Sequence, residues 1–496
     1  MRHPGLLPTL RDMPDPVLTI AEMRAWEAAS WSAGIPPDVV IDTVGRRVGE
    51  WLLDHSGEHD PMLFLAGRGH NGDDVRAASK WIGWRRRQRG LNVEDPGRDS
   101  PAVLGALDEL VEGTRVLWVV DGLFGIGLGR AFSPEWIHLI EALNRRAALP
   151  GCRVVAMDVP SGLLNDAGGT AGAVIQAAYT LTVGAPKRGL VGLSAAGRVE
   201  VIRDIGLLPG FEATRRIDAE DGGTPRLQWS RAEDFCALPP RRPVTAHKGM
   251  MGHLMIVGGS VGYHGAAVMA ARGALRAGPG LVTVVTDPAA YLPVAAQLAQ
   301  AMVHPWKSEF PVPDSVNAVV VGPGLASGEL PPGLTLWVAS LWKNFPGPVL
   351  ADASALNWMG AISSQGPRIV TPHPGEAARI LGCSVPLIQD DRVASAARLG
   401  KETGSIAVLK GYHSLIAEGG SIWVNPTGNS GLAQGGAGDV LAGFIGGWLA
   451  RRVAAPLAVR YGVWEHGAAA DRLALRHLVD ATWTVDELIA EMGRGG

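Results

Sequence analysis

A carboxylate one turn into a helix, behind a run of glycines, is placed to move a proton beside a bound phosphate. The chain offers this in Gly435, Gly436, Ala437, Gly438 and Asp439, after the polar lead-in Asn425-Pro-Thr-Gly-Asn-Ser-Gly-Leu-Ala-Gln434 and before an apolar helical stretch. The backbone N–H groups of Gly436, Ala437 and Gly438 have no intrahelical partner, and they carry the positive end of the helix dipole. Such a turn holds a phosphate or charge developing on one. Asp439 takes a proton from a hydroxyl while the N–H groups hold the phosphoryl group that the hydroxyl attacks. A glycine-rich loop before a helix is often only a turn; the long lead-in and the carboxylate make this one more specific.

Four further segments fit the same nucleotide-dependent site. Lys248-Gly-Met-Met-Gly-His-Leu-Met-Ile-Val-Gly-Gly-Ser260 is a cation, a glycine turn, a strand and a second glycine turn. Val321-Gly-Pro-Gly-Leu325 ends a strand in a turn that lets backbone approach a flat ligand. Thr371-Pro-His-Pro-Gly-Glu376 ends a strand and opens a helix, with His373 between two prolines. Leu409-Lys-Gly-Tyr-His-Ser414 ends another strand with a cation, Lys410. Taken singly, His373 reads as a hydrogen-bonded structural histidine, Lys410 as a solvated lysine and Gly-Pro-Gly as a turn. Their common position at strand ends, together with Gly-Ala-Gly-Asp439, favours a site.

The N-terminal half carries a second set. Gly67-Arg-Gly-His-Asn-Gly-Asp-Asp74 follows one apolar strand and opens a helix; Asp121-Gly-Leu-Phe-Gly-Ile-Gly-Leu-Gly129 follows another; Asp158-Val-Pro-Ser-Gly-Leu163 follows a third. The amide oxygen of Asn71, the carboxylate of Asp121 and the hydroxyl of Ser161 are hard oxygen ligands, suited to a monovalent or alkaline-earth cation rather than zinc. Each aspartate alone reads as a cap on the following turn. Three such strand ends in one sheet favour a ligand site.

These motifs need elements to position them. Apolar runs at 62–66, 115–120, 153–157 and 180–183 read as buried strands, with helices at 77–87 and 134–147. In the second half, strands are expected at 254–257, 281–286, 318–321, 349–352, 368–371, 406–409, 414–417 and 422–425, and helices at 265–277, 376–381, 438–450 and 456–475. Strands alternating with helices imply parallel sheets of the doubly wound α/β kind, in which ligands collect at the carboxyl ends of strands. The stretch 208–230 is polar and rich in Gly and Pro. Domains are therefore drawn at 1–215 and 230–496, with 216–229 as the linker.

Composition narrows the partners. At 496 residues the chain is too long for one core. Its 45 basic and 48 acidic residues nearly balance, so neither nucleic acid nor an acidic membrane is expected as a partner. The basic run Arg85-Arg-Arg-Gln-Arg89 reads as a solvated helix end. Three scattered cysteines make no metal-like pair, and no apolar run spans a bilayer; a reducing cytoplasm is expected.

Lys248-Gly, Gly258-Gly-Ser, Gly265-Ala-Ala, Gly322-Pro-Gly-Leu, Asp352-Ala-Ser-Ala-Leu-Asn357, Thr371-Pro-His-Pro-Gly-Glu, Leu409-Lys-Gly and Gly435-Gly-Ala-Gly-Asp439 occur in the order of a known family. Over roughly residues 230–490 the chain resembles the ADP-dependent NAD(P)H-hydrate dehydratases, which have a ribokinase-like fold. The resemblance implies that Ala266, Gly324, His373 and Asp439 contact the hydrated nicotinamide substrate. It implies that Lys410, Gly411, Tyr412, His413 and Ser414, with Gly435, Gly436, Ala437 and Gly438, hold ADP (or ATP), with Mg²⁺, and that Asp439 is the base. Leu432, Gln434 and Ala326 depart from the residues the family tends to carry.

The first half resembles the NAD(P)H-hydrate epimerase domain fused to that dehydratase in many bacterial repair enzymes; Asp158-Val-Pro-Ser-Gly-Leu and Gly184-Ala-Pro-Lys187 carry the likeness. A Rossmann-like domain follows from it. The resemblance implies K⁺ at Asn71, Asp121 and Ser161. It also implies substrate held by His70, Asn71, Gly72, Asp73, Asp74, Gly125, Ile126, Gly127, Leu128, Gly129, Arg130, Ala131 and Asp158, with Asp158 as the acid/base. A homo-oligomer is expected for such domains. The first motif departs from the family's pattern at Arg68, His70, Asp73 and Val75. Asp73 adds charge where backbone meets ligand, and Val75 is strained if its position needs positive φ.

Other classes remain. A ribokinase-like kinase of a small hydroxylated metabolite, using ATP beside a non-catalytic N-terminal domain, fits the same fold. A nicotinamide oxidoreductase is suggested by Gly125-Ile-Gly-Leu-Gly129, which lacks the dinucleotide spacing. A pure interaction module leaves the C-terminal motifs unexplained.

Overall fold

Fully apolar strand runs such as Met62–Ala66 and Ala318–Val321 are buried on both faces, as parallel strands covered by helices must be. The structure is a computed structural model. It describes residues 15–112, 114–209, 226–308, 310–360, 362, 366–476 and 482–494. The chain divides into two units, Met1–Thr224 and Pro225–Gly496.

In the first unit the parallel strands lie in the order Gln88–Asn92, Met62–Ala66, Leu117–Gly122, Cys152–Met157, Tyr179–Val183 and Arg198–Ile202. Alternate residues serve opposite faces. Met62 and Phe64 join Val44, Val48 and Ala78 from the helices Pro37–His55 and His70–Ile82. Leu63 and Leu65 join Val103, Leu107 and Leu139 from Pro96–Val111 and Pro134–Ala147. Strand order reverses between Met62–Ala66 and Leu117–Gly122, and a doubly wound sheet opens its ligand crevice at that switch point.

The second unit orders its strands Arg226–Trp229, Ser421–Val424, Leu415–Glu418, Ile406–Leu409, Arg368–Val370, Val349–Ala351, Ala318–Val321, His253–Val257, Leu281–Thr286 and Met302–Pro305. From Ile406–Leu409 to Met302–Pro305 all neighbours are parallel. The switch point falls between His253–Val257 and Ala318–Val321, where the Gly259 N–H donates to Pro323 O at 2.8 Å.

Three expectations need correction. Residues Arg226–Trp229, assigned to the linker, form a strand parallel to Ser421–Val424, because Leu227 and Trp229 are apolar at alternate positions and bury; linker residues 216–225 lie outside the described residues. The basic run is not a helix end. The helix spans His70–Ile82, Gly83–Arg85 is one 3₁₀ turn, and Gln88–Asn92 is an edge strand. Charge suits an edge, where one side of the strand has no neighbour to pair with. Val75 carries no strain: it lies inside that helix, fully buried.

Two helices of the second unit, His264–Ala277 and Ala437–Ala450, pack in parallel through small residues. A Cβ on Gly443 would sit 1.8 Å from the Ala270 carbonyl oxygen, so only glycine admits this approach. The pairs Gly273–Val440, Ala270–Gly443 and Ala274–Gly447 keep both N-termini at one end, so Ala266 and Asp439 share it. Gly443→Ala is expected to destabilise this unit by about 1–3 kcal/mol through overpacking. A thermal melt followed by tryptophan emission checks this; an unchanged midpoint would show that the helices separate freely.

Candidate functional site

The strands His253–Val257, Ala318–Val321, Val349–Ala351, Arg368–Val370 and Ile406–Leu409 end side by side. Their next residues are therefore brought together: Gly258, Gly322, Asp352, Thr371 leading to His373, and Lys410. A cleft of roughly 430 Å³ is lined by Asp352, Ala353, His373, Pro374, Lys410, Gly411, Gly436, Gly438 and Asp439. Six of these were expected from sequence: His373, Lys410, Gly411, Gly436, Gly438 and Asp439. Ala266 and Gly324 do not line the cleft. They lie against each other nearby, a Cβ on Gly324 reaching 2.8 Å from Ala266 Cβ, and Met269 one turn on packs against Gly436. Ser260 fixes this corner by donating to Gly324 O at 2.7 Å and accepting from Ser327 N at 3.1 Å.

The helix Ala437–Ala450 begins at Gly436, whose φ of +97° suits glycine. Ala437 N–H turns back to Gln434 O at 3.4 Å. No acceptor among the described residues meets the Gly438 or Asp439 N–H. Those two donors, at the positive end of a 14-residue helix, are open to an anion. Buried His466 anchors the turn, with Nε2 donating to Ala437 O at 3.0 Å; burial pushes it down to about 4, so it stays neutral. Asp471 accepts from Gly428 N and Asn429 Nδ2, both at 3.1 Å, and so holds the lead-in loop. Neither His466 nor Asp471 was found from sequence, since both sit in the helix Ala455–Arg476 far along the chain and carry no local motif.

Lys410 Nζ donates to Asp352 Oδ1 at 2.9 Å. Burial lowers the affinity of Lys410 for its proton, but Asp352, Glu376 and Asp439 outweigh burial and leave it raised, so the cation persists. Asp439 is pushed up to about 7, chiefly by burial and then by Asp352 and Glu376, with Lys410 opposing. A carboxylate poised there serves as a base at neutral pH. His373 caps the helix Pro374–Ile380: its Nδ1 accepts from Gly375 N at 3.0 Å, and Glu376 Oε2 accepts from His373 N at 2.8 Å. The imidazole is about half exposed and lines the cleft, with Nε2 3.5 Å from Glu376 Oε1. Tyr412 stacks on His413 at 4.0 Å between centroids, and Ser414 donates to Gly411 O at 3.0 Å, so the segment Lys410–Ser414 forms one formed loop.

In the first unit the switch point joins Asn71 to the loop after Leu117–Gly122. Asn71 Nδ2 donates to Phe124 O at 3.1 Å, and Gly125 lies on its side chain. Asn71 Oδ1 is buried and meets no donor among the described residues. Asp121 is no simple cap. It accepts from Ser161 N at 2.9 Å, from Ser161 Oγ at 2.6 Å and from Leu123 N at 3.2 Å. Burial, against these hydrogen bonds, still pushes it up to about 6. Asn71, Asp121 and Ser161 are thus brought together as expected, linked through Phe124, whose N–H donates to Ser161 Oγ at 2.9 Å.

Asp158 has φ of +61°, an unusual value for a non-glycine residue. Its Oδ1 accepts from Val183 N at 3.0 Å and from Lys187 Nζ. Glu27 and Asp74 face it: burial first, then the charge of Asp158, raises both. His70 faces the same cluster. Asp73 pairs with Arg76 at 2.7 Å and is half exposed, so its charge is directed along the helix. Arg24 donates to Ile126 O at 2.8 Å, tying down the loop Gly125, Ile126, Gly127, Leu128, Gly129, Arg130 and Ala131. Glu27 was missed from sequence because its helix, Ile20–Ser32, bears no motif.

Fold and site define a two-unit α/β protein with a cleft lined by Asp352, Lys410 and Asp439 at the strand ends of its second unit. The family described as NAD(P)H-hydrate dehydratase matches residues 254–492, and that described as YjeF-related protein N-terminus matches residues 100–189. The bifunctional NAD(P)H-hydrate repair enzyme Nnr of Escherichia coli (strain K12) is 37% identical over 435 residues, covering 84% of this chain and 81% of that one. The enzyme of the same description from Coxiella burnetii is 38% identical over 478 residues, covering 91% and 94%. A solved ADP/ATP-dependent NAD(P)H-hydrate dehydratase from Bacillus subtilis, co-crystallised with ATP/Mg²⁺, is 32% identical and covers 53% of this chain and 95% of that chain, with a TM-score of 0.49. The chain belongs to the family of bifunctional NAD(P)H-hydrate repair enzymes.

Proposed function

We propose that this protein repairs hydrated NADH and NADPH at two sites: Asp439 drives ADP-dependent dehydration of the S-epimer, and Asp158 interconverts the R- and S-epimers. The observation that carries the first site is Asp439 beside two unpaired helix N–H groups and the Lys410 cation. Asp439 takes the proton of the hydroxyl on the hydrated ring. That oxygen attacks the terminal phosphoryl group of ADP and AMP leaves. Phosphate then departs with the oxygen and the ring double bond returns. Net, hydrate and ADP become NAD(P)H, AMP and phosphate. The Gly438 and Asp439 N–H groups and Lys410 meet the charge on the transferring group. The Lys410–Ser414 loop holds the nucleotide, and Ala266, Gly324 and His373 meet the nicotinamide. Family membership sets the small-metabolite kinase aside.

Asp352 and Asp439 are hard oxygen donors that fit Mg²⁺ beside a phosphate. Bound there, the ion supplies positive charge to the phosphate oxygens. At the other site, the orphaned Asn71 Oδ1, with Asp121 and Ser161, fits K⁺, which supplies a fixed positive charge at the strand ends.

The test is recovery of the near-ultraviolet absorbance of reduced nicotinamide from mixed epimers with Mg²⁺ and ADP, and with ATP in parallel. Full recovery is expected. Recovery of the S fraction alone would leave the dehydratase and remove the epimerase; none with either nucleotide would overturn the reading.

The acidic limb of kcat/KM for dehydration is expected near pH 7, because Asp439 acts ionised and titrates at about 7. Activity rises with pH through that limb. Asp352→Asn removes a negative neighbour and frees Lys410 to face Asp439, two changes of the same sign, so the limb moves to lower pH. A profile on pure S-epimer with both proteins decides this; a limb that stays put, or rises, would dissociate Asp439 from it.

A further inference from the structure

We propose that Lys187 is a positioning residue for epimerisation: it fixes Asp158 through one carboxylate oxygen and leaves the other as the proton-carrying atom presented to substrate. This rests on the reading of Asp158 as the acid/base. Lys187 is 1% exposed, an unusual place for a lysine. Its ammonium meets three acceptors, Asp158 Oδ1, Thr182 Oγ1 at 3.3 Å and Val183 O at 2.5 Å. An ammonium has three protons, so all are committed, and Lys187 has none to give to a substrate. Val183 N–H also donates to Asp158 Oδ1, at 3.0 Å. Among the described residues no donor reaches Asp158 Oδ2, and 12% of that side chain remains accessible.

The backbone makes the clamp rigid. Lys187 pairs with Leu18 in a parallel bridge, Leu18 N donating to Pro186 O at 2.8 Å and Arg188 N to Leu18 O at 2.7 Å. Leu18 leads into the helix Ile20–Ser32, whose start is held by Asp166 Oδ1 accepting from Ile20 N at 2.8 Å. That helix presents Glu27 and Arg24 to the cluster, while His70–Ile82 presents His70, Asp73 and Asp74. Asp158 thus faces carboxylates on two elements, Glu27 and Asp74. Lys187 is the buried cation in direct contact with it.

The test compares Lys187→Met and Lys187→Gln with Asp158→Asn in the full chain, following R-to-S conversion through coupled dehydration. Lys187→Gln retains N–H donors and removes the charge. Both Lys187 variants are expected to lower kcat of epimerisation about 10²-fold, as for a misplaced catalytic group, with KM nearly unchanged. The pH profile of epimerisation is expected to change with the cation gone, while that of S-epimer dehydration does not. Turnover of pure S-epimer stays as in the wild type. If Asp158→Asn is silent, the reading of Asp158 fails. If Asp158→Asn is inactive while the Lys187 variants keep rate and profile, the positioning role alone fails. Loss of hydrogen-exchange protection along Cys152–Met157 in both Lys187 variants also overturns it, since a strut of the whole sheet is not a positioning residue.

Discussion

Asp439→Asn is expected to lower turnover of the S-epimer by about 10²–10⁴, the range for removing a positioned acid/base, while ADP still binds. The separation follows from which atoms do what. In the proposed mechanism phosphate is met by the backbone N–H groups of Gly438 and Asp439 and by Lys410, and none of these is lost with the carboxylate. The turn is anchored from beneath by His466 and capped by Gly436, so the helix start survives. The amide is isosteric but accepts no proton. One second-order effect has a definite sign. The lost negative charge lies beside the anion site, so ADP titrated without Mg²⁺ binds as tightly as before or more tightly. Single-turnover recovery of nicotinamide absorbance, with calorimetric titration of ADP, reads both quantities. Near-wild-type turnover would remove Asp439 from the mechanism. Loss of ADP binding together with turnover would make Asp439 a nucleotide ligand rather than the base.

Much of this site was legible because parallel sheets place function at strand ends. The strand runs at 62–66, 318–321 and 406–409 are apolar throughout and bounded by Gly or Lys, and the structure ends them at those residues. Ala437–Ala450 was expected to within one residue, since the glycine turn fixes where the helix starts. What was hidden has two physical causes. Gln88–Asn92 is an edge strand with little buried surface, so no hydrophobic period marks it. Glu27, His466 and Asp471 act through contacts between residues distant in sequence, and a side chain that completes a site from another element leaves no local pattern. The strain expected at Val75 did not arise for a related reason. The same helix already begins at His70, within the motif Gly67–Asp74, ahead of the 77–87 stretch, so Val75 takes helical backbone.

Asp158→Asn is expected to slow epimerisation by about 10²–10⁴ and to split recovery from mixed epimers into two phases. The fast phase has the amplitude of the S fraction; the slow one follows uncatalysed interconversion. Asparagine tests the chemistry cleanly. It tolerates the left-handed backbone at φ +61° better than most residues, so the turn stays unstrained. Its amide oxygen still accepts from Lys187 Nζ and Val183 N–H, which orients the amide nitrogen to the place of Oδ2. The atom facing the substrate thereby changes from a proton acceptor to a donor that cannot titrate, and little else moves. Removing the charge also relieves Glu27 and Asp74, both raised in part by Asp158, so each ionises more readily in the variant. If one of them takes over the proton, the slow phase will run faster than buffer alone and rise with pH. A slow phase at the buffer rate assigns the proton to Asp158 alone. A single fast phase of full amplitude would move epimerisation away from Asp158, leaving the Asn71–Asp121–Ser161 corner as the place to look.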